Sequence, residues 1–199
     1  MASTRLRQLA LRLTSLKAHL LPPFSPTGAY SDEDIDSARA YRLLVHAEIE
    51  AYFEDRARDI VINNIARWKA DRKPRVVIQS LLSCHVEQRS VTRVFNDNAG
   101  RADRLECAVD AAASSYFHII LTNHGIKEDN VLKILEPLGI VDIDRAWLLT
   151  MESFGGDRGK TAHSAIATYQ PVDPYAEWET VKAILKGIRR IDRDMDGIS

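Results

Sequence analysis

An all-α fold, a helical bundle of about six to seven helices with an N-terminal amphipathic helix, follows from three features of the sequence. Apolar residues recur at steps of three and four through most of the 199 residues. Nine glycines and seven prolines are too few for a sandwich or barrel built on tight turns. One stretch, from about Asp36 to Lys69, is almost free of both and long enough for many helical turns.

Leu6, Leu9, Leu13, Leu16 and Leu20 form one stripe on a first helix, with Arg5, Arg7, Arg12 and Lys17 mostly off it. The stripe has two uses: packing on the rest of the chain, or pairing with a second copy. Pro22 and Pro23 end the helix, and the breaker-rich PPFSPTGAYSDED reads as a linker. The domain organisation expected is therefore an N-terminal helix over residues 1–23, a linker over 24–35 and the main helical domain over 36–199.

The long second helix places Leu43, Ala47, Phe53, Ala57, Ile60 and Ile65 near one stripe, with Glu50 on it and His46 one turn earlier. A carboxylate on an apolar face must find a partner or stay neutral. A third helix starts near Lys73-Pro74 and carries Val77, Leu81 and Cys84, then Val91, Val94 and Phe95, with NDNAGR as its exit. The next spans about Ala102 to Asn123, with Leu105, Val109, Ala112, Tyr116 and Ile120 on one side. A short helix runs from about Glu128 to Leu138. Asp142 opens another, which Gly155 and Gly156 are expected to interrupt. The last begins at the cap Asp173-Pro174, uses Trp178, Val181, Leu185, Ile188 and Ile191 as its core face, and is expected to fray after Asp192. Trp147 and Trp178 are expected to be core anchors rather than stacking platforms.

Composition narrows the function classes. Apolar residues at 45% and charged residues at 28% suit a packed domain. A net charge of −1 predicts no strong non-specific affinity for nucleic acid, so a site facing RNA has to be a local basic patch. Cys84 and Cys107 lack the spacing of a zinc site and read as reduced, partly buried thiols of a cytoplasmic protein. No apolar run reaches the roughly 18 residues of a membrane span, and the N-terminus lacks a signal-peptide core. His85, His118 and His124 show no paired ligand spacing, so neither metal nor cofactor is expected.

The chemistry concentrates in Gly155-Gly156-Asp157-Arg158-Gly159-Lys160-Thr161-Ala162-His163-Ser164. Arg158 offers a planar fork suited to phosphate, and His163 can exchange protons near neutral pH. RNA carries its own nucleophile, the 2′-hydroxyl beside the scissile phosphate. A histidine can take that proton or protonate the leaving 5′-oxygen, and a guanidinium can hold the charge that builds on phosphorus, with no metal needed. The same residue types recur at similar spacing in Arg12–His19 and Arg39–His46, but those lie in strongly periodic helices. The glycine-rich context singles out Arg158 and His163.

The order of long helices, with RGKTAHS shortly before a DP-capped final helix, resembles the HEPN superfamily and looks most like its RiboL-PSP-HEPN branch. LLVHAEIEAYFEDRARDI, with Glu50-Ala51-Tyr52, is similar to that branch's early core helix, and VKAILKGIRRIDRDM to its ending. The likeness covers about Asp36 to Asp194. It implies a HEPN-like helical domain, a homodimer and a metal-independent ribonuclease whose arginine and histidine are Arg158 and His163. It also implies a toxin–antitoxin or defence setting, with an antitoxin or other protein partner. Two positions depart from the pattern. Gly159 stands where active relatives often carry a polar residue, a role left to Asp157 or Lys160. Ala165 stands where a subgroup regulated by nucleotidylation carries tyrosine. Glu50 is either a residue that orients Arg158 or a structural carboxylate, and His46 is a satisfied helix histidine or part of the same site. The alternative class is a non-catalytic HEPN-like module that binds a protein partner or nucleic acid.

Overall fold

A computed structural model describes residues 2–85, 101–163 and 173–198, with backbone alone for 101–103 and 158–163. The described residues are all-helical, with no strand. They form seven α-helices: α1 (Thr4–Leu20), α2 (Asp32–Asp71), α3 (Val76–His85), α4 (Arg101–Leu121), α5 (Glu128–Leu135), α6 (Arg145–His163) and α7 (Pro174–Gly197). A single 3-10 turn, Glu136–Leu138, follows α5. Among the described residues no helix is long and apolar enough to cross a membrane.

The chain divides into two compact units, and α2 supplies residues to both. The first comprises Met1–Tyr52, Gly125–Asp129 and Ile143–Arg193. Here Leu6, Leu9, Leu13 and Leu16 of α1 are at most 5% exposed, so the leucine stripe is used within the chain. Each fully buried leucine contributes about 1.5–3 kcal/mol. The α1 N-terminus is fixed twice: Ser3 Oγ accepts from Leu6 N at 3.1 Å, and Ser3 donates from N and Oγ to Asp192 of α7. At the other end Lys17 Nζ lies 4.5 Å from the Trp178 ring, so α1 and α7 run antiparallel.

The start of α2 lies at Asp32, four residues ahead of the expected position. Its signal is a reciprocal cap: Ser31 Oγ accepts from Asp34 N, and Asp34 Oδ2 accepts from Ser31 N. The buried face of this part of α2 is Ala38, Tyr41, Val45 and Ile49, together with Arg42 and His46. Ala47, expected on the core stripe, is exposed. Two polar residues on the buried side displaced the apparent apolar phase.

Asp144, not Asp142, caps α6: its Oδ1 accepts from Trp147 N at 3.1 Å. Gly155 and Gly156 do not interrupt the helix, which continues to His163. Gly155 serves a close approach instead: a Cβ there would fall 2.9 Å from Lys127 Cγ and 3.2 Å from Lys127 N. Trp147 is a core anchor, 7% exposed, donating from Nε1 to Ile184 O at 3.0 Å. Its indole lies so close to α7 that a Cβ on Gly187 would meet Cδ1 at 2.1 Å. Trp178, by contrast, is only half-buried.

The second unit comprises Phe53–His124, Asn130–Asp142 and Asp194–Ser199. Trp68 of α2, Ile78 of α3 and Val109 of α4 pack together, with Ile65 and Leu82 against them. Tyr116 is buried and donates to Ile134 O at 2.6 Å. Leu105 is 46% exposed rather than part of the core face of α4. The end of α7 is not frayed: Met195 is fully buried, Arg56 pairs with Asp196, and Asn64 Nδ2 donates to Ile198 O at 2.9 Å. Cys84 and Cys107 are both exposed thiols, contrary to the partial burial expected. Val91, Val94, Phe95 and the NDNAGR exit lie outside the described residues.

Candidate functional site

Arg158 and His163 lie on α6, His163 as its last residue. The segment expected to be a glycine-rich bend is helical, because the glycines are accommodated against Lys127 rather than used to turn the chain. Five steps along an α-helix turn by about 140° and advance about 7.5 Å. Within one chain the two positions are therefore not on one face of α6. The side chains of Arg158, Lys160 and His163 lie outside the described residues. Asp157, one position before Arg158, is half-buried and held by interactions of its own.

His46 and Glu50 are brought together. They stand one turn apart on α2, with Nδ1 and Oε2 at 3.6 Å. His46 is 1% exposed and the Glu50 side chain 18%, so the carboxylate meets the solvent edge while the ring lies inside. At that separation the ring and the carboxylate are neighbours without a hydrogen bond between them, and the carboxylate's partial exposure lets water solvate it.

Periodicity did not reveal the buried polar groups around α7. Arg42 and Glu177 form an ion pair inside the first unit, with Arg42 Nε donating to Oε2 at 3.0 Å and Nη2 to Oε1. The Tyr41 hydroxyl is buried nearby without a hydrogen-bond partner. Burial, and then the Glu177 charge, push it well above the usual phenol range. Asp192 is fully buried and accepts from Ser3 and from Tyr52 Oη, the latter at 2.8 Å. The signal for these groups was present only as polar residues at helix positions between apolar ones. Among the described residues no group of three or more His, Cys, Asp or Glu is placed to hold a metal.

Compared with known proteins, the chain matches no family model, no curated protein and no solved structure.

Proposed function

We propose that the chain is a metal-independent endoribonuclease of the HEPN type that works as a homodimer, with Arg158 and His163 as its catalytic residues. The observation that carries this reading is the position of RGKTAHS: Arg158 and His163 occupy the end of α6, shortly before the helix that starts at Pro174 behind its Asp173 cap. The 2′-oxygen forms the bond to phosphorus, the bond to the 5′-oxygen breaks, and the products carry a 2′,3′-cyclic phosphate and a 5′-hydroxyl. His163 moves the proton off the 2′-hydroxyl or onto the leaving oxygen, and Arg158 binds the charge on the phosphorane. Because the two positions diverge by about 140° on one helix, the scissile phosphate belongs between two copies rather than within one chain. Asp157 and Lys160 flank the arginine and supply the polar groups that Gly159 lacks. His46 and Glu50 support the site as a positioning pair. A toxin or defence effector held in check by a protein partner fits such an activity.

The test is incubation of purified protein with mixed RNA in EDTA, beside folded His163→Ala and Arg158→Ala variants. Cleavage that resists EDTA, leaves cyclic phosphate ends and vanishes in both variants is expected. A folded wild type that leaves every RNA intact overturns the enzyme. Gly159 favours a second reading, a non-catalytic module that binds nucleic acid or protein, and RNA bound but uncut selects it.

A further inference from the structure

We infer that the seam between α1 and α7 is a track for single-stranded RNA, gripping phosphates towards the C-terminal end of α7 and stacking bases towards its N-terminal end. The choice of RNA rests on the function proposed above, while the track is built from different residues. Tyr175, Trp178, Lys182, Lys186, Arg189 and Arg193 follow one another at steps of three and four, so they share one face of α7. The other face buries Val181, Ile184, Ile188 and Ile191. From Tyr175 to Arg193 the stripe extends about 27 Å. That is about eight steps of a stacked strand at 3.4 Å each.

At one end, Arg7, Lys186, Arg189 and Arg193 line a groove of about 560 Å³ over Leu6 and Ala10, with no carboxylate in its walls. Many other surface cations find acids: Arg12 pairs with Glu48, Lys69 with Asp110, Arg75 with Asp71, Arg145 with Glu128 and, within the stripe itself, Lys182 with Glu179. Arg7, Lys17, Lys186, Arg189 and Arg193 have no carboxylate partner among the described residues. In a chain of net charge −1, five such cations along one seam repel each other unless a polyanion lies between them. Stabilisation by the α7 dipole does not account for them, since it acts within the last turn and Lys186 and Arg189 stand two turns or more from Gly197.

At the other end, a groove of about 640 Å³ is walled by Phe24, Tyr175 and Trp178, with Lys17 and the Lys182–Glu179 ion pair beside them. The Phe24 and Tyr175 rings are 5.2 Å apart and remain 64% and 51% exposed. Lys17 and Lys182 lie 4.5 and 5.9 Å from the Trp178 ring, so two cations stand beside the exposed Phe24 and Tyr175 rings. Base stacking on rings next to backbone-binding cations is how single strands are held without sequence preference. A lipid surface fits less well. The apolar stripes of both helices are buried, and the exposed apolar side chains beside them, Leu11, Phe24 and Tyr175, are too few to make an apolar helix face that inserts among acyl chains.

The test is fluorescence anisotropy of a labelled oligouridylate of about twelve nucleotides, within the usual range of single-strand site sizes. It uses the full chain carrying His163→Ala, so that binding is read without cleavage. Adding Lys186→Glu with Arg189→Glu should weaken binding at least about tenfold at 0.1 M salt. It should also reduce the slope of log affinity against log salt by about 1.4, at roughly 0.7 per phosphate contact. Tyr175→Ala should weaken binding at least about fivefold and leave that slope unchanged. All three positions are exposed, and circular dichroism checks the fold. Unaltered affinity in these variants, no saturable RNA binding, or binding to phosphatidylserine vesicles in place of RNA overturns the track. RNA bound through these residues but left uncut by wild type sinks the nuclease and keeps the track. RNA cut through His163, with the groove variants binding normally, does the reverse.

Discussion

Arg42 and Glu177 meet as a two-point ion pair in the interior of the first unit, with both residues less than a tenth exposed. Removing two charges from water is costly, and their mutual attraction and the paired hydrogen bonds offset it. The pair fixes the first turn of α7 against α2. Loss of one partner leaves the other a buried charge without this pairing.

Glu177→Gln should therefore destabilise the protein by about 3–5 kcal/mol, and so should Arg42→Met. The double variant Arg42→Met, Glu177→Leu should recover much of that loss, because no charge is left behind. Urea unfolding of the three variants decides it. Additive losses in the double variant would show that packing, not charge burial, dominates.

Gly187 and Gly197 give a matched pair of substitutions on one helix. A Cβ at 187 would collide with the Trp147 indole, whereas one at 197 meets nothing within 4 Å. Gly187→Ala should lower stability by about 1–3 kcal/mol through overpacking. Gly197→Ala should be neutral or stabilising by up to about 1 kcal/mol, as alanine suits a helix better. Thermal unfolding of the two variants side by side is the measurement. An undiminished melting temperature for Gly187→Ala would mean the indole moves aside freely.

Much of the fold was legible because its signals are local. Sparse glycine and proline, and runs of apolar residues at steps of three and four, need no tertiary knowledge to be read as helices. The face of α2 was harder, because Arg42 and His46 occupy buried positions while Leu44 and Ile62 are 41% and 51% exposed. Gly155-Gly156 looked like a break because a glycine's use for close approach depends on what lies against it, here Lys127. Asp192 looked like the start of a loose tail, yet it is among the most buried polar residues. The spacing that puts Tyr175 and Arg193 on one face of α7 was in plain view. Only the absence of a carboxylate from the walls around Arg7, Lys186, Arg189 and Arg193, a three-dimensional fact, gives that end of the stripe its meaning.

The His85 ring is partly buried, 5.6 Å from the Tyr116 ring, and its Nε2 has no hydrogen-bond partner among the described residues. Burial holds its imidazole below the ordinary value. The folded state thus binds fewer protons than the unfolded state as pH falls through about 6.5. Stability from this group is present above that pH and is lost below it, towards the depressed folded value. The urea midpoint should drop between pH 7.5 and 5.5 in wild type and drop less in His85→Phe. Asp71 and Glu106, held below the carboxylate range by Lys73 N–H and Arg72 respectively, lose their contribution only at more acidic pH. Identical slopes in wild type and variant would remove His85 as the cause.

Asp192 ties the beginning of the chain to its last helix. It accepts from Ser3 N at 2.9 Å, Ser3 Oγ at 2.5 Å and Tyr52 Oη at 2.8 Å. Asp192→Ala takes the acceptor from the buried Tyr52 hydroxyl and from the part-buried Ser3 donors, at about 1–3 kcal/mol for each group that water cannot reach. Because Ser3 also caps α1, its release should loosen that helix before the rest of the unit opens. Amides of residues 4–12 should exchange faster, and trypsin should cut first at Arg5, Arg7 or Arg12. Tyr52→Phe removes the bond from its hydroxyl alone and should cost about 1 kcal/mol while α1 stays protected. If Asp192→Ala leaves exchange in α1 as slow as in wild type, the leucine stripe holds the helix without the bonds from Ser3 to the carboxylate.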